Sequence, residues 1–249
     1  MVKLFNKNNK ATTSFPLDYN NIPKHIGIIM DGNGRWAKKK NLPRTFGHKQ
    51  GVETIRRIIK ECNRLGVRYL TLYAFSTENW KRPKDEVNAL MKLLVDYLKK
   101  EFDELNKNQV VINHIGDISM LPKSCQEELI NAKAMTKDNT GVVMNLALNY
   151  GGRAEIIHAV NSFLKTKEGN SEIAITQEDI EKYLYTAGMP DPDIIIRPSG
   201  EQRLSNFMLW QCAYSEFWYS DILWPDFSEK DLHKAIYDYQ NRERRFGGI

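Results

Sequence analysis

Residues 26–48, IGIIMDGNGRWAKKKNLPRTFGH, join a short apolar run to an acid, two glycines and a strongly basic segment. The apolar run at 26–30 predicts a strand covered on both faces, because such strands lack the apolar and polar alternation of half-exposed strands. The same pattern recurs along the chain. It predicts further strands at 69–75, 110–115, 142–149, 193–196 and 217–223.

Amphipathic helical patterns separate these strands. Apolar residues recur at helical spacing in residues 52–65, and again in residues 87–105 after Pro83, which suits a first helical turn. Further helices are predicted at 122–135 and 153–164. The alternation of strands and helices predicts a single α/β domain with a mostly parallel central sheet, flanked by helices on both faces.

Size and composition fit one globular domain. The chain has 249 residues, of which 41% are hydrophobic and 27% are charged. We predict a flexible N-terminal arm at 1–24 and one folded domain at 25–249 that carries the site. The apolar runs are all shorter than the roughly 18–20 residues of a membrane span. The three cysteines lack metal-ligand spacing and predict buried, reduced thiols in a cytoplasmic protein.

The positive charge of the chain is concentrated after the first strand. Residues 31–50 contain six lysines and arginines against one acid, an excess of +5 that equals the net charge of the whole chain. The remaining residues therefore sum to zero, which predicts a site for a compact polyanion such as a diphosphate. An extended nucleic-acid surface is disfavoured, because it would need charge spread along the molecule.

Unusual polar residues follow three of the predicted strands. Asp31 follows the first strand, the segment at 76–80 follows the second, and the segment at 197–201 follows the fifth. In open α/β sheets, ligands bind outside the carboxyl ends of the strands. These three regions are therefore expected to meet at one edge of the sheet.

The first region is DGNGRW at 31–36, and it allows two interpretations. Glycines let backbone N–H groups approach an anion closely. Asp31 would repel a diphosphate unless a cation lay between them, and Mg²⁺ commonly joins one or two carboxylates to substrate phosphates. A tight turn without a ligand is the alternative, for which Asp-Gly and Asn-Gly pairs are equally typical. The sequence lacks both GxxxxGK[ST] and a complete GxGxxG, which disfavours nucleotide binding.

The other two regions also allow a functional and a structural interpretation. Residues 75–83 bring a hydroxyl, an acid, an amide, an aromatic ring and cations into one loop, although such residues also cap helices and pack. Arg197, Arg203 and Ser205 form a fork that suits diphosphate oxygens. Surface pairing of the arginines with Glu201 is the structural alternative.

Two isolated titratable residues stand out. Glu216 is an acid within an apolar run, and it would be paired, protonated or metal-bound if buried. His48 has no second histidine at a metal-ligand spacing, so a phosphate contact is its functional interpretation. A structural ion pair for Glu216 and a satisfied structural role for His48 are the alternatives.

Several long segments together resemble the cis-prenyltransferase family. The resemblance spans residues 25–248, and the DDxxD clusters of trans-prenyltransferases are absent from the sequence. The segments are HIGIIMDGNGRWAKKKNLPRTFGHKQG, LTLYAFSTENWKRPKDEV, TGVVMNLALNYGGRAEI, IIIRPSGEQRLSNFMLWQCAYSEFWYSDILWPDF and NRERRFGG.

This resemblance implies an α/β fold with an apolar tunnel, a homodimer and an enzyme that depends on Mg²⁺. Isopentenyl diphosphate would add repeatedly to an allylic diphosphate, farnesyl diphosphate. The product would be a long-chain cis-polyprenyl diphosphate, the undecaprenyl carrier lipid of cell-wall synthesis. The resemblance implies no nucleic-acid partner, and a cytoplasmic protein with peripheral membrane contact for release of its lipid product.

The resemblance also implies residue roles. Asp31 would bind Mg²⁺ and act in catalysis together with Asn79, and Glu216 would be the second metal ligand. The residues against the allylic diphosphate would be Gly32, Asn33, Gly34, Arg35, Trp36, Arg44 and His48. The binders of isopentenyl diphosphate would be Arg197, Arg203, Leu204 and Ser205. The loop over the reacting carbons would comprise Ser76, Thr77, Glu78, Trp80 and Arg82.

Some questions stay open within the resemblance. A neutral amide is a poor base, so we expect Asn79 to orient a water or phosphate oxygen that accepts the proton. The family usually has Thr or Ser and then Gly where this chain has Pro198 and Ser199, and Pro198 removes a backbone donor beside the phosphate site. A non-catalytic subunit would not need the acids and arginines of the site. An RNA-binding module is disfavoured by the neutral remainder of the chain.

Overall fold

Six strands form one sheet in the computed structural model, which describes residues 15–167 and 174–243. The strands are β1 His25–Ile28, β2 Tyr69–Ser76, β3 Val111–Ile115, β4 Val143–Tyr150, β5 Ile194–Pro198 and β6 Glu216–Ser220. Their order across the sheet is β3-β4-β2-β1-β5-β6, and every neighbouring pair is parallel. The predicted α/β fold with a central parallel sheet is confirmed.

Helices connect the strands. The α-helices are α1 Asn33–Lys39, α2 Arg44–Leu65, α3 Lys84–Lys107, α4 Lys123–Thr136, α5 Gly152–Lys165, α6 Gln177–Glu181 and α7 Glu229–Gln240. The four predicted helices are present, as α2 to α5, and the structure adds α1, α6 and α7. Short 3₁₀ helices lie at Thr77–Lys81, Ile118–Met120, Gln211–Tyr214 and Trp224–Asp226.

β5 is longer than the sequence predicts. Arg197 and Pro198 still pair with Tyr219 and Ser220 of β6. Pro198 is tolerated at this position because it lies beyond Ile196, the last residue of β5 that pairs with β1. Arg197 therefore belongs to a rigid strand, although the sequence places it in a loop.

α2 begins at Arg44, whereas apolar spacing predicts a start near residue 52. Its first turns are not amphipathic because they pack on α1 and border the site. Gly47 allows this close packing, since a Cβ atom there would lie 2.0 Å from the carbonyl oxygen of Asn33. α3 starts one residue after Pro83, which is its N-cap and not part of its first turn.

Four helices cover one face of the sheet. α2, α3, α4 and α7 share a buried apolar core with strand residues such as Ile28, Leu72 and Leu146. The other face carries a smaller apolar cluster around Phe207 and Met208, which belong to the irregular segment after β5. Both faces are therefore covered, as the apolar strands predict.

A row of polar side chains crosses four strands on that second face. Asn113 Nδ2 donates to Asn145 Oδ1 at 2.7 Å, and Asn145 Nδ2 donates to Thr71 Oγ1 at 3.2 Å. His25 Nε2 lies 2.7 Å from Thr71 Oγ1, and His25 Nδ1 lies 2.7 Å from the carbonyl oxygen of Pro190. Because a carbonyl only accepts, Nδ1 carries a proton, and in the neutral imidazole Nε2 then accepts from the threonine hydroxyl.

Acidification is expected to destabilise the fold through His25. Burial lowers the pKa of His25 from 6.5 to about 4, while the unfolded chain protonates near the ordinary value. The stabilisation is complete above pH 6.5 and is lost as the pH falls toward 4. His25 should contribute about 2 kcal/mol to the loss of unfolding free energy that urea denaturation measures between pH 7 and pH 5.

His25→Gln is the matched control, because glutamine forms hydrogen bonds but does not titrate. The loss of unfolding free energy between the two pH values should shrink by about 2 kcal/mol in this variant. An unchanged loss would show that other groups cause the acid sensitivity.

The first described residues contact the last helix. The rings of Phe15 and Tyr237 lie 5.7 Å apart, and Gln240 Nε2 donates to the carbonyl oxygen of Asp18. The described part of the predicted N-terminal arm therefore packs on α7. Other parts of the predicted arm and domain lie outside the described residues, namely residues 1–14, 168–173 and 244–249.

The cysteines behave as predicted. All three are buried and free of disulfide bonds, and burial raises the pKa of the Cys62 thiol. Within the described ranges, none of the helices has the length and apolar character needed to cross a membrane.

Candidate active site

The carboxyl ends of three adjacent strands bring the predicted site residues to one edge of the sheet. β1 lies between β2 and β5, so Asp31, Ser76 and Arg197 are neighbours there. They line a cavity of about 1050 Å³. Further predicted residues that line it are Gly32, Asn33, Gly34, Arg35, Arg44, His48, Glu78, Asn79, Arg82, Arg203 and Ser205.

Asp31 is held as a carboxylate among cations. Arg197 Nη2 donates to Asp31 Oδ2 at 2.9 Å, Arg35 Nη2 lies 3.2 Å from the same oxygen, and the Gly32 N–H donates to Oδ1 at 2.6 Å. Burial alone would raise the pKa of Asp31. The hydrogen bonds from Arg197 and Ser199 and the nearby arginine charges outweigh burial and hold that pKa below its ordinary value. Asp31 is therefore ionised at neutral pH.

Arg197 is a buried guanidinium, only 3% exposed. Its Nη1 donates to Ser205 Oγ at 2.8 Å and to the carbonyl oxygen of Arg203. Its Nε is buried and has no hydrogen-bond partner in the described residues. Arg203 is more exposed and pairs with Glu201, which is the surface pairing given as the structural alternative. Arg203 and Ser205 also line the cavity beside Arg197. An unpaired buried donor beside a cavity favours an anionic ligand.

The two residues that depart from the family pattern lie beside Arg197. Ser199 has φ 92°, a left-handed conformation that favours glycine. Arg35 supports it, because Nη1 and Nη2 donate to the carbonyl oxygen and Oγ of Ser199 at 2.9 and 2.7 Å. The Gly200 N–H donates to the Ser220 carbonyl oxygen at 2.8 Å. The turn after Pro198 is thus fixed by hydrogen bonds on both sides of it.

Two glycines bring the backbone close to the cavity. Gly32 has φ 102°, and a Cβ atom there would lie 2.9 Å from Leu223 Cδ2. A Cβ atom at Gly34 would lie 2.8 Å from Arg44 Nε and would displace that guanidinium. The tight turn and the cavity lining are therefore both present in residues 31–36.

A second group of cations surrounds Glu86. Its Oε1 lies 2.9 Å from Arg82 Nη1, 3.3 Å from Arg44 Nε and 3.5 Å from His48 Nε2. Burial and the charge of Arg82 lower the pKa of His48 to about 4. The imidazole is therefore neutral at pH 7, and its buried Nε2 makes no hydrogen bond to a described residue. Glu86 escapes prediction from the sequence, because an acid in the first turn of a helix is ordinary.

The 3₁₀ helix Thr77–Lys81 carries Asn79. Asn79 Oδ1 accepts the N–H of Ser76 at 3.1 Å, and its Nδ2 group can only donate. An oxygen that already accepts a backbone N–H is a poor proton acceptor. This geometry favours the expected orienting role of Asn79 over a role as base.

The two predicted tryptophans support the site from behind and do not line the cavity. Trp36 is buried, and its Nε1 donates to Asp226 Oδ1 at 2.7 Å. Trp80 Nε1 donates to Asn149 Oδ1 at 2.8 Å. Both indoles fix the segments that carry lining residues. The other predicted substrate-binding residues outside the cavity lining are Thr77 and Leu204.

Glu216 does not meet Asp31 within one chain. It opens β6 and pairs in register with Ile194, which pairs with Ile26 of β1. Asp31 lies five residues beyond Ile26, about 16 Å along the strand direction. The Glu216 carboxylate instead pairs with Arg242. The prediction that both acids hold one metal fails within a single chain, because Glu216 is the first residue of its strand whereas Asp31 follows the end of its strand.

Apolar side chains extend the cavity away from the charged residues. α2 and α3 form one wall and the sheet forms the other. The apolar residues that line it are Val52, Ile55, Leu90, Met91, Leu93, Leu94, Tyr97, Leu146 and Leu148. A single cavity therefore combines a cationic mouth with an apolar interior, as the predicted tunnel requires.

Asn206 is a residue of the site that sequence reasoning misses. Its Nδ2 donates to Glu78 Oε1 at 2.8 Å, and its Oδ1 accepts the N–H of Arg153 at 2.9 Å. Its carbonyl oxygen accepts the N–H of Gly152 at 2.7 Å. Asn206 therefore ties the segment of Ser205 to the 3₁₀ helix and to α5. Its φ of 66° gives a physical reason for asparagine, which tolerates the left-handed region.

Removing the Asn206 side chain is expected to slow turnover. Asn206→Gly keeps the left-handed backbone accessible and deletes only the two side-chain hydrogen bonds. The maximal rate should fall by about tenfold, because the loop over the reacting carbons loses its tie to the diphosphate-binding segment.

Asn206→Ala separates backbone strain from the lost hydrogen bonds. The maximal rate of Asn206→Ala should fall further than that of Asn206→Gly, since alanine resists a positive φ. Steady-state rates and melting temperatures of both variants measure the effect. Normal turnover in Asn206→Gly would show that the side-chain links play no part in catalysis.

Comparison with known proteins agrees with this geometry. Residues 29–247 match the family described as putative undecaprenyl diphosphate synthase. The chain belongs to this family. The cis-prenyltransferase resemblance identified from the sequence is thereby confirmed, and the chain is a prenyltransferase.

Its relatives cover almost the whole chain. An isoprenyl transferase of Clostridium tetani is 66% identical over 98% of this chain and 96% of its own length. A ditrans,polycis-undecaprenyl-diphosphate synthase of Micrococcus luteus, specific for (2E,6E)-farnesyl diphosphate, is 52% identical over 98% of both chains. The solved structure of lavandulyl diphosphate synthase from Lavandula x intermedia, in complex with dimethylallyl diphosphate, is 37% identical. It superposes with a TM-score of 0.88 and covers 92% of this chain and 99% of its own.

Proposed function

We propose that this prenyltransferase condenses isopentenyl diphosphate repeatedly with farnesyl diphosphate and releases a long-chain cis-polyprenyl diphosphate, the undecaprenyl carrier lipid. One observation carries the proposal. Two groups of cations, around Arg197 and around Glu86, stand at the mouth of one apolar cavity. A substrate pair with two diphosphates and a growing hydrocarbon chain has the same distribution of charge and apolar surface.

The two cationic groups suit two diphosphates. We assign isopentenyl diphosphate to Arg197, Arg203 and Ser205, where the buried Nε of Arg197 has no partner in the described residues. We assign the allylic diphosphate to the Gly32–Arg35 segment with Arg44 and His48, whose buried Nε2 also makes no hydrogen bond there. Two anchors on one sheet edge hold the reacting carbons close together, which is a large part of catalysis in a two-substrate reaction.

The residues of the site fit Mg²⁺ bound together with substrate. The described residues contain no cluster of three or more metal-ligating side chains. Mg²⁺ often takes only one or two carboxylates and completes its shell with phosphate oxygens and water. Asp31 is an ionised carboxylate that would hold it. When bound, Mg²⁺ would neutralise charge on the departing diphosphate.

The side chains of the chain itself supply the remaining functions. Arg35 and Arg44 stabilise negative charge on the departing diphosphate as the allylic C–O bond breaks. Arg197 holds the diphosphate of the second substrate, isopentenyl diphosphate. Asn79 orients the water or phosphate oxygen that takes the proton from the new C–C junction. The apolar wall excludes water from the carbocation-like carbon, which would otherwise be trapped as an alcohol.

We retain the homodimer and the cytoplasmic location with peripheral membrane contact as parts of this proposal. Glu216 can serve as a metal ligand only across such a dimer, because it lies at the opposite sheet edge from Asp31 of its own chain. Otherwise it is the structural partner of Arg242.

One assay tests the proposed reaction. Purified protein is incubated with radiolabelled isopentenyl diphosphate, farnesyl diphosphate and Mg²⁺, and lipid extracts are separated by chain length. We expect labelled long-chain product that disappears when the metal is chelated. Absence of labelled lipid would leave the non-catalytic subunit as the better account, and binding of RNA without product would favour the RNA-binding module.

A further inference from the structure

Half of the cations in the basic segment do not belong to the cavity. Arg35, Lys38 and Arg44 line it, but Lys39, Lys40 and Lys49 do not. The predicted assignment of the whole charge excess to one anion site is therefore only partly right. Lys39 ends α1, Lys40 begins the exposed turn that joins α1 to α2, and Lys49 lies on α2. All three are exposed.

This turn is ordered although it is exposed. The N–H groups of Lys40 and Leu42 donate to the Ala37 carbonyl oxygen at 3.0 and 2.9 Å. Asn41 takes a left-handed φ of 55°, and the Lys40 Nζ lies 4.7 Å from the centre of the Trp36 ring. The backbone of the turn is therefore held by its own hydrogen bonds.

Two large apolar side chains lie among these lysines. Leu42 is 37% exposed and Phe46 is 53% exposed. All residues from 38 to 46 are exposed, and the sequence has no acid between Asp31 and Glu53. We call the group Lys39, Lys40, Leu42, Phe46 and Lys49 the basic apolar patch.

The acids that contact this region are already paired. Glu86 lies against Arg44 and Arg82, and Asp226 accepts the indole N–H of Trp36. The lysines of the patch make no ion pair with any described residue. The patch therefore keeps its positive charge for an external partner.

We propose that the basic apolar patch docks the enzyme on an anionic lipid surface. Apolar side chains that enter the headgroup region and lysines that meet anionic headgroups are the combination that binds proteins to such membranes. Lys38 and Arg44 connect the patch to the mouth of the cavity. The inference rests on the proposed function, because a water-insoluble product leaving that mouth needs a bilayer beside it.

Flotation with lipid vesicles tests the proposal. The full chain is mixed with vesicles of phosphatidylcholine alone, or of phosphatidylcholine and phosphatidylglycerol in equal parts. We expect the protein to float only with the anionic vesicles. Leu42→Ser with Phe46→Ser should weaken binding by at least about tenfold, since two apolar contacts with the membrane are lost.

The charged half of the patch is tested separately. Replacement of Lys39, Lys40 and Lys49 by Gln should weaken binding on the order of a hundredfold, because each lysine near an anionic surface contributes about 1 kcal/mol. The matched control is Met120→Ser with Met135→Ser, which removes apolar residues that are 62% and 66% exposed elsewhere. This control should float like the unmodified protein.

The outcomes distinguish the patch from the proposed reaction. Asp31→Asn, inactive if the proposed reaction is correct, should still float normally. A protein that floats through the patch but makes no lipid would overturn the reaction and leave the docking surface standing. Equal binding to neutral vesicles, or unchanged flotation of the Leu42 and Phe46 variant, would overturn the docking surface. The docking surface would also be overturned if the Leu42 and Phe46 variant failed to float and had at the same time lost self-association. The patch would then be an interface between copies of the protein.

Discussion

Replacing Asp31 by Asn is expected to reduce turnover by roughly a thousandfold. Asparagine keeps the size of the side chain and removes its charge. The buried Arg197 would lose the carboxylate that it contacts at 2.9 Å, and the site would lose the carboxylate that we propose as the Mg²⁺ ligand. The rate of radiolabel incorporation at saturating substrates measures the effect. A Mg²⁺ titration should show that the variant needs a higher Mg²⁺ concentration to reach half of its maximal rate.

Asp117→Asn is the matched control for this change. Asp117 lies on the same edge of the sheet, after β3, and its carboxylate accepts the N–H of Ser119 at 2.9 Å. Asparagine forms the same cap, so turnover and stability should stay near normal. If Asp31→Asn retained activity within tenfold of the unmodified chain, the carboxylate would not be the metal ligand that we propose.

Replacing Arg197 by Lys is expected to raise the KM for isopentenyl diphosphate by about a hundredfold or more. The guanidinium donates to Asp31, Ser205 and the carbonyl oxygen of Arg203 at once. Its Nε has no partner among the described residues and can donate to the substrate. A lysine ammonium keeps the charge but cannot meet these partners in one plane. The maximal rate should fall less than the KM rises, because the charge remains.

Arg203→Lys provides the comparison. The Arg203 side chain is 61% exposed and pairs with Glu201, so its geometry is less constrained and water can replace its contacts. We expect its KM to rise by less than about tenfold. Equal effects of the two substitutions would show that charge alone, and not the buried fork, binds the diphosphate. Thermal unfolding of both variants separates binding from loss of fold.

The sequence predicts those site residues that directly follow a strand, because ligands of open α/β sheets bind outside the carboxyl ends of the strands. Asp31 and Arg197 were predicted because unusual polar residues directly followed apolar strands, and parallel strands bring such positions to one edge. The basic segment and the lone histidine predict phosphate contacts for Arg44 and His48, and the family resemblance places them at the allylic diphosphate. Their helix begins before its apolar stripe. That start was missed because helical periodicity detects only turns that face the core.

Other residues lacked a signal that periodicity or strand position could supply. Glu86 looks like an ordinary acid at a helix start, and Asn206 like an ordinary loop asparagine. Their roles depend on contacts between segments far apart in the sequence, with Arg44 and with Glu78. For Glu216 the motif predicts a role that its position within one chain does not fit. The motif does not reveal that Glu216 begins β6, at the end of the sheet opposite to Asp31.

The carboxylate of Glu86 has a consequence for the pace of the catalytic cycle. A pocket of cations without a counterion would bind the diphosphates of starter and product equally tightly. Tight binding of the starter would then imply slow release of the finished lipid. A resident counterion instead competes with each incoming headgroup for Arg44 and Arg82. We expect this competition to shorten the time for which a diphosphate stays bound at the proposed allylic site, and so to free the site for the next starter.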